Sequence, residues 1–286
     1  MKYLSALIVT LILTSSCSGL QQVTQNESKN TNDTEVVFAE TQKEDHPIEI
    51  SLGEDGTISD DGISLTTEII YTEAFDHAIF NALLKKYVSE NGNVNYKGLK
   101  SESKKLQSYI DLIKLHQPTD NWAKNDKLAY WINAYNALTI DLILRNYPTK
   151  SIKDIKDPWD QRLWKFGDTW QNLNDIEHKI LREMDEPRIH FAIVCASVSC
   201  PKLQNTAFTA SNLDEQLTNA TKEFLADTSK NELSEDNIKI SKIFKWFKKD
   251  FEKNGSLIDF LNQYSDITIS ASAKKSYTDY NWNLNN

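Results

Sequence analysis

Three features that would place this chain in a common functional class are missing from its sequence. It has no excess of positive charge, because 41 Asp and Glu residues outnumber 32 Lys and Arg residues and give a formal net charge of −9. Nucleic-acid binders gain affinity by neutralising phosphates, so this balance argues against a nucleic-acid partner. Beyond the first residues, no apolar run is long enough to span a bilayer.

The third missing feature is a metal-binding or redox spacing of cysteine and histidine. The chain has three cysteines and five histidines, and Cys195 and Cys200 do not form the CxxC of thioredoxin-like enzymes. His178 and His190 likewise stand outside any HxxxH pair or structural zinc pattern. We therefore expect no metal and no cofactor, and the spacing argues against dedicated disulfide oxidoreductase chemistry.

The apolar run at the N terminus, residues 4–13, has the length of a signal peptide rather than of a membrane span. It follows the basic start Met1-Lys2 and ends in the small residues TSS before Cys17. This pattern predicts a bacterial lipoprotein signal over residues 1–17, with a lipid on Cys17 that anchors the mature protein to the membrane. An ordinary cleaved secretion signal is the alternative. Either one predicts export, and the first predicts anchoring in the bacterial cell envelope, on its periplasmic side or at the cell surface.

The composition changes near residue 73. Residues 18–72 are polar and acidic and contain almost no aromatic side chains. Such a segment cannot bury enough apolar surface to offset its ordering entropy, so we expect a flexible tether. Nearly all aromatic residues lie in residues 73–286, which have the size of one globular domain.

The most hydrophobic helical pattern covers residues 127–145 and is apolar nearly all round, which is typical of a helix in the middle of a core. Asn133 and Asn136 stand on one face of it, and buried amides must be hydrogen-bonded. Further helical segments flank this helix, and short alternating segments lie between them. The pattern predicts an α+β class: a helix-rich single domain around a hydrophobic central helix, with a small, mainly antiparallel sheet of short strands.

The segment RIHFAIVCASVSCP, residues 188–201, alternates like a buried strand and carries two of the three cysteines. On an ideal strand His190 points away from Cys195, because successive side chains face opposite sides. His178, on a preceding helix, is freer to reach either thiol. Asn174 and Glu177 at the start of that helix have the spacing of a capping box.

Several sequence blocks resemble the DUF547 family. In chain order they are YWINAYNAL at 130–138, LNDIEH at 173–178, PRIHFA at 187–192, Cys195 with the following SCP at 199–201, and NWNLN at 281–285. The resemblance covers about residues 74–286. The family takes its name from having no assigned function, so the resemblance implies a fold family and no particular reaction. Bacterial members often look exported or lipid-anchored, in keeping with the signal predicted here.

The cysteines, histidines and other polar residues in and near the predicted strand are of the residue types that a cysteine-dependent hydrolase needs. A thiolate nucleophile requires a nearby base, and the base requires an orienting group. The candidates are Cys195 and Cys200 as nucleophile, His178 and His190 as base, and Glu177, Asn133 and Asn136 as orienting group. For a catalytic pair we favour Cys195 with His178, oriented by Glu177 or Asn133.

Structural roles compete with each of these assignments. Cys195 continues an apolar face and suits core packing, while Glu177 suits a capping box. His190 suits a satisfied buried polar group, and the two asparagines suit ties between loops and the central helix. In an oxidising compartment Cys195 and Cys200 would also tend to form a disulfide, which would exclude both sulfurs from nucleophilic work.

Two functional hypotheses follow from these residues. The first is a lipid-anchored Cys/His-dependent hydrolase or acyltransferase that acts on a peptide-like substrate, such as envelope material. The second is a non-catalytic binding or assembly module of the cell envelope, in which the same polar residues hold the core together and an envelope protein is the partner.

Overall fold

The structure is a computed structural model, and it describes residues 73–286. The predicted signal peptide, the lipid-anchor residue Cys17 and the predicted tether lie outside the described residues. None of the helices within the described part is both long and apolar enough to cross a membrane.

Four helices form the first part of the described chain, and the last of them is the centre of the core. Helix α4 is buried nearly all round between Leu128 and Leu144, as its sequence predicts. Helix α3 packs along it, and the side chain of Asn95 caps α2 by accepting a hydrogen bond from the Gly98 amide at 2.8 Å. The bounds are α1 (Ala78–Tyr87), α2 (Tyr96–Ser101), α3 (Ser103–Leu115) and α4 (Lys124–Asn146).

A hairpin and a run of irregular helix follow. Strands β1 (Trp164–Phe166) and β2 (Thr169–Gln171) pair antiparallel. Helix α5 (Leu173–Asp175) continues as a π-helical turn over Ile176–Leu181 and a 3₁₀ turn over Arg182–Met184. π-helical turns are rare and frequent at functional sites, and this one carries Glu177 and His178.

The cap of this irregular helix differs from the prediction. Asn172 is the N-cap, and its side chain accepts a hydrogen bond from the Asp175 amide at 2.6 Å. Asn174 is therefore already inside the helix, and Glu177 is buried and bonded to a tyrosine hydroxyl instead of closing a capping box. The capping-box prediction was wrong because the helix begins two residues earlier than the pattern suggested.

The predicted strand before the cysteines is also wrong. Pro187–Phe191 form a 3₁₀ helix, and the chain continues as a loop to Cys200. The proline fits the first turn of a helix, and the side chain of Glu186 accepts a hydrogen bond from the Arg188 amide at 3.2 Å. Beyond the turn, Asn136 of α4 binds the loop backbone that a strand would have paired with a neighbour.

The second part of the described chain carries a three-stranded sheet with short helices. The sheet order is β3-β4-β5, in which β3 and β4 pair antiparallel and β4 and β5 pair parallel. The side chain of Asn262 binds both backbone groups of Ile269 at 2.8 and 2.9 Å and so holds the loop that precedes the last strand. The bounds are α6 (Leu213–Ala226), β3 (Glu232–Leu233), β4 (Asn237–Ile240), α7 (Ile243–Trp246), α8 (Lys248–Phe251), α9 (Leu257–Tyr264) and β5 (Lys274–Tyr277).

Two hydrophobic cores divide the domain. The first surrounds α4 and is largely aliphatic and tyrosine-rich. The second is built from phenylalanines of the later helices and from one residue of the earlier half: Phe191, Phe224, Phe244, Phe251 and Phe260. The predicted α+β class, with a central buried helix and a small sheet, is confirmed.

Candidate active-site cavity

A cavity of about 300 Å³ opens where the cysteine loop, the π-helical turn and the C-terminal segment meet. Five of the seven candidate residues line it: Glu177, His178, His190, Cys195 and Cys200. Most of the remaining wall is aromatic: Tyr135, Trp159, Trp246, Phe247, Tyr280 and Trp282. A concave, largely apolar site with a few convergent polar groups is the usual form of a ligand-binding site.

The two cysteines of the cavity form a disulfide. The Cys195 amide and the Ser197 hydroxyl donate hydrogen bonds to the Cys200 sulfur at 3.1 and 3.2 Å. The hydroxyl of Tyr280 lies 3.3 Å from the sulfur of Cys195 and 3.2 Å from that of Cys200. Between the cysteines, Ala196 has a φ of 56°, a left-handed conformation that is unfavourable for a residue with a Cβ. The loop therefore holds both sulfurs against the tyrosine at the expense of local strain.

His178 is held in one tautomer by Arg182. The Arg182 Nη1 atom donates to His178 Nδ1 at 2.6 Å, so the ring proton of the neutral histidine is on Nε2. Burial, and then the positive charge of Arg182, lower the pKa of His178 below its ordinary value. In this state His178 offers the cavity a hydrogen-bond donor and has no free nitrogen that could accept a proton from a thiol.

His190 has the opposite arrangement. Its Nε2 atom lies 2.8 Å from Asp250 Oδ2 and donates to that carboxylate, which leaves Nδ1 as the basic nitrogen. No hydrogen bond from residues 73–286 reaches His190 Nδ1, and the ring is stacked on Phe247 with centroids 3.9 Å apart. Burial lowers the pKa of His190, and the Asp250 carboxylate opposes that shift. A histidine oriented by a carboxylate is the arrangement that a general base requires.

Asp250 holds His190 directly and His178 through Arg182. Its two oxygens accept hydrogen bonds from Arg182 Nη2 and Nε at 2.8 and 2.6 Å, as well as the bond from His190. Burial acts to raise the pKa of Asp250, but the bonds from Arg182 and His190 outweigh it and hold that pKa well below its usual range. Asp250 therefore remains a carboxylate and keeps His190 Nε2 protonated.

Sequence reasoning missed Asp250. It lies 60 residues beyond His190, in a segment otherwise dominated by lysines and aromatic residues. The signal available was an acidic side chain inside that basic and aromatic run, and nothing local links it to the histidines.

Glu177 is a buried carboxyl group that lines the cavity. Its Oε2 atom accepts a hydrogen bond from the Tyr135 hydroxyl at 3.2 Å, and it takes part in no ion pair within residues 73–286. Burial raises the pKa of Glu177 from 4.5 to about 7, although the Tyr135 bond and the charge of Arg182 oppose the shift. A carboxyl group with this pKa can give or take a proton near neutral pH.

Of the two remaining candidates, Asn133 lies outside the cavity wall. Its side chain binds the backbone of Phe208 at 2.7 and 3.0 Å. Asn136 binds the Ala192 carbonyl and the Val194 amide, each at 2.9 Å, and so holds the loop that leads to Cys195. Both amides thus tie loops to α4, which was the competing interpretation of these residues.

Within residues 73–286, no three His, Cys, Asp or Glu side chains converge in a way that could hold a metal ion. The chemical groups that line the cavity include the cysteine pair, two imidazoles and the carboxyl groups of Asp160 and Glu177.

Residues 119–225 match the model of a family described as "Protein of unknown function, DUF547". The match supports the DUF547 family. The matched residues include α4 and the cavity's histidines and cysteines (His178, His190, Cys195 and Cys200). The match ends before Asp250 and before Trp246, Tyr280 and Trp282 of the aromatic wall. Searches of curated proteins and of solved structures gave no match. The family description names no reaction, so function is argued from the cavity.

Proposed function

We propose that this protein is a Cys/His-dependent hydrolase or acyltransferase that acts on peptide-like material of the cell envelope. The observation that carries the proposal is that the Asp250-oriented His190 lines the same cavity as the Cys195–Cys200 pair. The geometry favours His190 as the base over His178, whose Nδ1 is occupied by Arg182. Cys195 is the nucleophile in this scheme, because it is partly exposed whereas Cys200 is only 4% exposed.

The disulfide must be opened before the reaction begins. A dithiol reductant transfers two electrons and two protons to the cystine, becomes a disulfide itself and leaves two thiols. No hydrogen bond joins a histidine nitrogen to either sulfur within the described, disulfide-bonded chain. Release from Cys200 frees the Cys195 side chain to approach His190 Nδ1.

The acyl transfer then proceeds in two steps. His190 Nδ1 takes the proton of Cys195, and the sulfur attacks the carbonyl carbon, so that an S–C bond forms while the C–N bond to the leaving amine breaks. The imidazolium returns the proton to the leaving nitrogen. Water or another acceptor next attacks the thioester, the C–S bond breaks, and the sulfur regains a proton through His190.

The test is detection of the thioester. The full-length protein, reduced with dithiothreitol, is incubated with a panel of activated esters and peptide amides, and mass spectrometry locates any acyl group. We expect an acyl adduct on Cys195 that is lost in Cys195→Ser and persists in Cys200→Ser. Acylation of surface lysines alone, with no cysteine adduct on any probe, would contradict the proposal.

A non-catalytic binding module is the second candidate, and the disulfide favours it. A cystine that stays closed leaves the cavity as an aromatic-walled pocket without a nucleophile. In that case reduction would leave ligand binding unchanged and would yield no acyl adduct.

We also propose that the protein is exported and anchored to the envelope by a lipid on Cys17, with the domain held at the membrane by residues 18–72. The support is the N-terminal pattern alone. Metabolic labelling with an alkyne fatty acid should tag the wild-type protein and fail to tag Cys17→Ser. Equal labelling of both would exclude Cys17 as the anchor.

A further inference from the structure

The cavity is acidic and aromatic. Its ionisable wall residues are Asp160, Glu177, His178, His190 and Tyr side chains, and within residues 73–286 the lining includes no lysine or arginine. Burial lowers the pKa of both histidines, so neither supplies positive charge at neutral pH. A ligand that enters the cavity therefore meets carboxyl groups and ring faces.

Glu177 lacks a counter-ion. It is 8% exposed, and its Oε1 atom receives no hydrogen bond from residues 73–286. The charge of Arg182 reaches Glu177, but the guanidinium itself is bonded to Asp250 and His178. A buried carboxylate is unfavourable unless a cation or several donors compensate for the lost water. A cation that enters the cavity would supply this compensation.

The aromatic wall of the cavity is also suited to a cationic group. Trp282 packs on Tyr280 and Trp159 with ring centroids 4.5 and 5.8 Å apart, and Trp246 packs on Tyr280 at 4.8 Å. Two rings of the wall already carry cations of the protein: Lys153 Nζ lies 5.2 Å from the Trp282 centroid, and the Arg182 guanidinium lies 5.4 Å from that of Phe247. Ring faces attract cations through their quadrupole, most strongly at tryptophan.

We propose that the cavity binds a primary alkylammonium group, with Glu177 as its counter-ion and the tryptophan wall around its aliphatic stem. Resting on the proposed function, the bound amine is then the acyl acceptor. The ammonium gives one proton to Glu177, and the free amine nitrogen attacks the thioester carbonyl carbon. A C–N bond forms, the C–S bond breaks, and the second proton passes through His190 to the Cys195 sulfur, which leaves an amide and a regenerated thiol.

The binding step is tested separately from catalysis, on the full-length protein with its disulfide intact. Isothermal titration calorimetry compares n-pentylammonium with 1-pentanol and with pentanoate, which have the same stem and a different head group. We expect pentylammonium to bind about tenfold more tightly than pentanol, and pentanoate to give no binding.

Matched variants locate the site. Glu177→Gln should remove the preference for the ammonium group, whereas Asp168→Asn, the same change of charge on a fully exposed side chain, should leave it intact. Trp246→Ala should weaken binding about fivefold, while Trp170→Ala, at a tryptophan of similar exposure (49% against 46%) on the hairpin, should have no effect. Circular dichroism of each variant checks that it is folded.

Equal affinity for pentanol and pentylammonium, or an unchanged preference in Glu177→Gln, would overturn the proposal. Tighter binding of a neutral methyl pyranoside would overturn it as well and would assign the wall to sugars. Thioester formation by the reduced protein without amine binding would refute this inference and leave the acyl transfer standing. Amine binding without any thioester would support the ammonium site and refute the acyl transfer.

Discussion

The two hydrophobic cores contribute different things to the cavity. The chain segments that carry the reacting groups contribute apolar side chains to the core around α4, among them Ile176, Ile189 and Val194. The phenylalanine-rich core supplies the groups that orient and enclose them, because α7 and α8 bring Trp246, Phe247 and Asp250. The family match covers the first set and ends before the second. The candidate nucleophile and base therefore lie in one region of the chain. The side chains that orient and enclose them come from the other region.

The largest effect should come from Asp250, whose carboxylate binds Arg182 and His190 of the first region. Asp250→Asn breaks the bidentate bond to Arg182 and the bond to His190, and it leaves a partly buried guanidinium without a carboxylate. We expect the free energy of unfolding to fall by about 4 kcal/mol in urea denaturation. Asp279→Asn removes an exposed pair with Lys242 and should change stability by less than about 0.5 kcal/mol. Similar small losses of unfolding free energy in both variants would show that the Asp250 contacts do not stabilise the junction between the two regions.

The next largest loss of stability is expected at Asn136, in the first region. Asn136→Ala leaves the Ala192 carbonyl and the Val194 amide without their partner, and each buried, unsatisfied group costs about 1–3 kcal/mol. We expect a loss of about 3 kcal/mol in urea denaturation. Asn146→Ala, which removes one bond to the Leu142 carbonyl near the end of the same helix, should cost less than about 1 kcal/mol. Equal losses would mean that the loop is held by other contacts.

Glu177 should make stability depend on pH in a direction opposite to that of a paired carboxylate. Its pKa is raised by burial from 4.5 to about 7, so between these values the unfolded chain has released a proton that the folded protein retains. The stabilising contribution is therefore complete below pH 4.5 and is lost as the pH rises through 7. Glu177→Gln removes this titration and keeps an acceptor for Tyr135.

We expect Glu177→Gln to exceed the wild-type protein in stability by about 3 kcal/mol at pH 8 and to equal it at pH 4.5. Thermal and urea unfolding at both pH values measure the difference. Glu235→Gln, on an exposed side chain, should match the wild type at both. A variant less stable than wild type at pH 8 would show that Glu177 is a satisfied carboxylate.

The smallest effect should come from a helix cap in the second region. The Ser256 hydroxyl accepts a hydrogen bond from the Asp259 amide at 3.1 Å as part of a capping box, so Ser256→Ala should cost about 1 kcal/mol. Ser108→Ala removes a hydroxyl that bonds to a carbonyl of its own helix and should be nearly neutral. An equal change in the free energy of unfolding of the two variants would show that the Ser256 cap does not stabilise α9.

The sequence predicts features that depend on local patterns and misses those that depend on distant partners. The apolar surface of α4 is visible in the residues themselves, and it is confirmed. The segment before Cys195 alternates like a strand, but Pro187 and the side chain of Asn136 make it a 3₁₀ turn and a loop. Alternation alone cannot reveal that Asn136, 56 residues before Ala192, takes the backbone hydrogen bonds of this segment.

The candidate site follows the same division. Five of the seven candidate residues share one cavity because they belong to neighbouring segments of the chain. The sequence favours His178 over His190 as the base, whereas the side-chain contacts favour His190, because Arg182 occupies Nδ1 of His178 and Asp250 orients His190 through Nε2. That information resides in side-chain contacts between the two regions.

The most direct test of the central claim is the pH dependence of alkylation at Cys195 in the reduced full-length protein. Iodoacetamide labelling is followed by mass spectrometry from pH 5 to 9 in the wild type, His190→Gln and His178→Gln. We expect rapid labelling of Cys195 well below pH 8 in the wild type and in His178→Gln, and labelling slowed at least about tenfold in His190→Gln. Identical profiles in all three proteins, or thiols that react only after unfolding, would contradict an active site built on Cys195, His190 and Asp250.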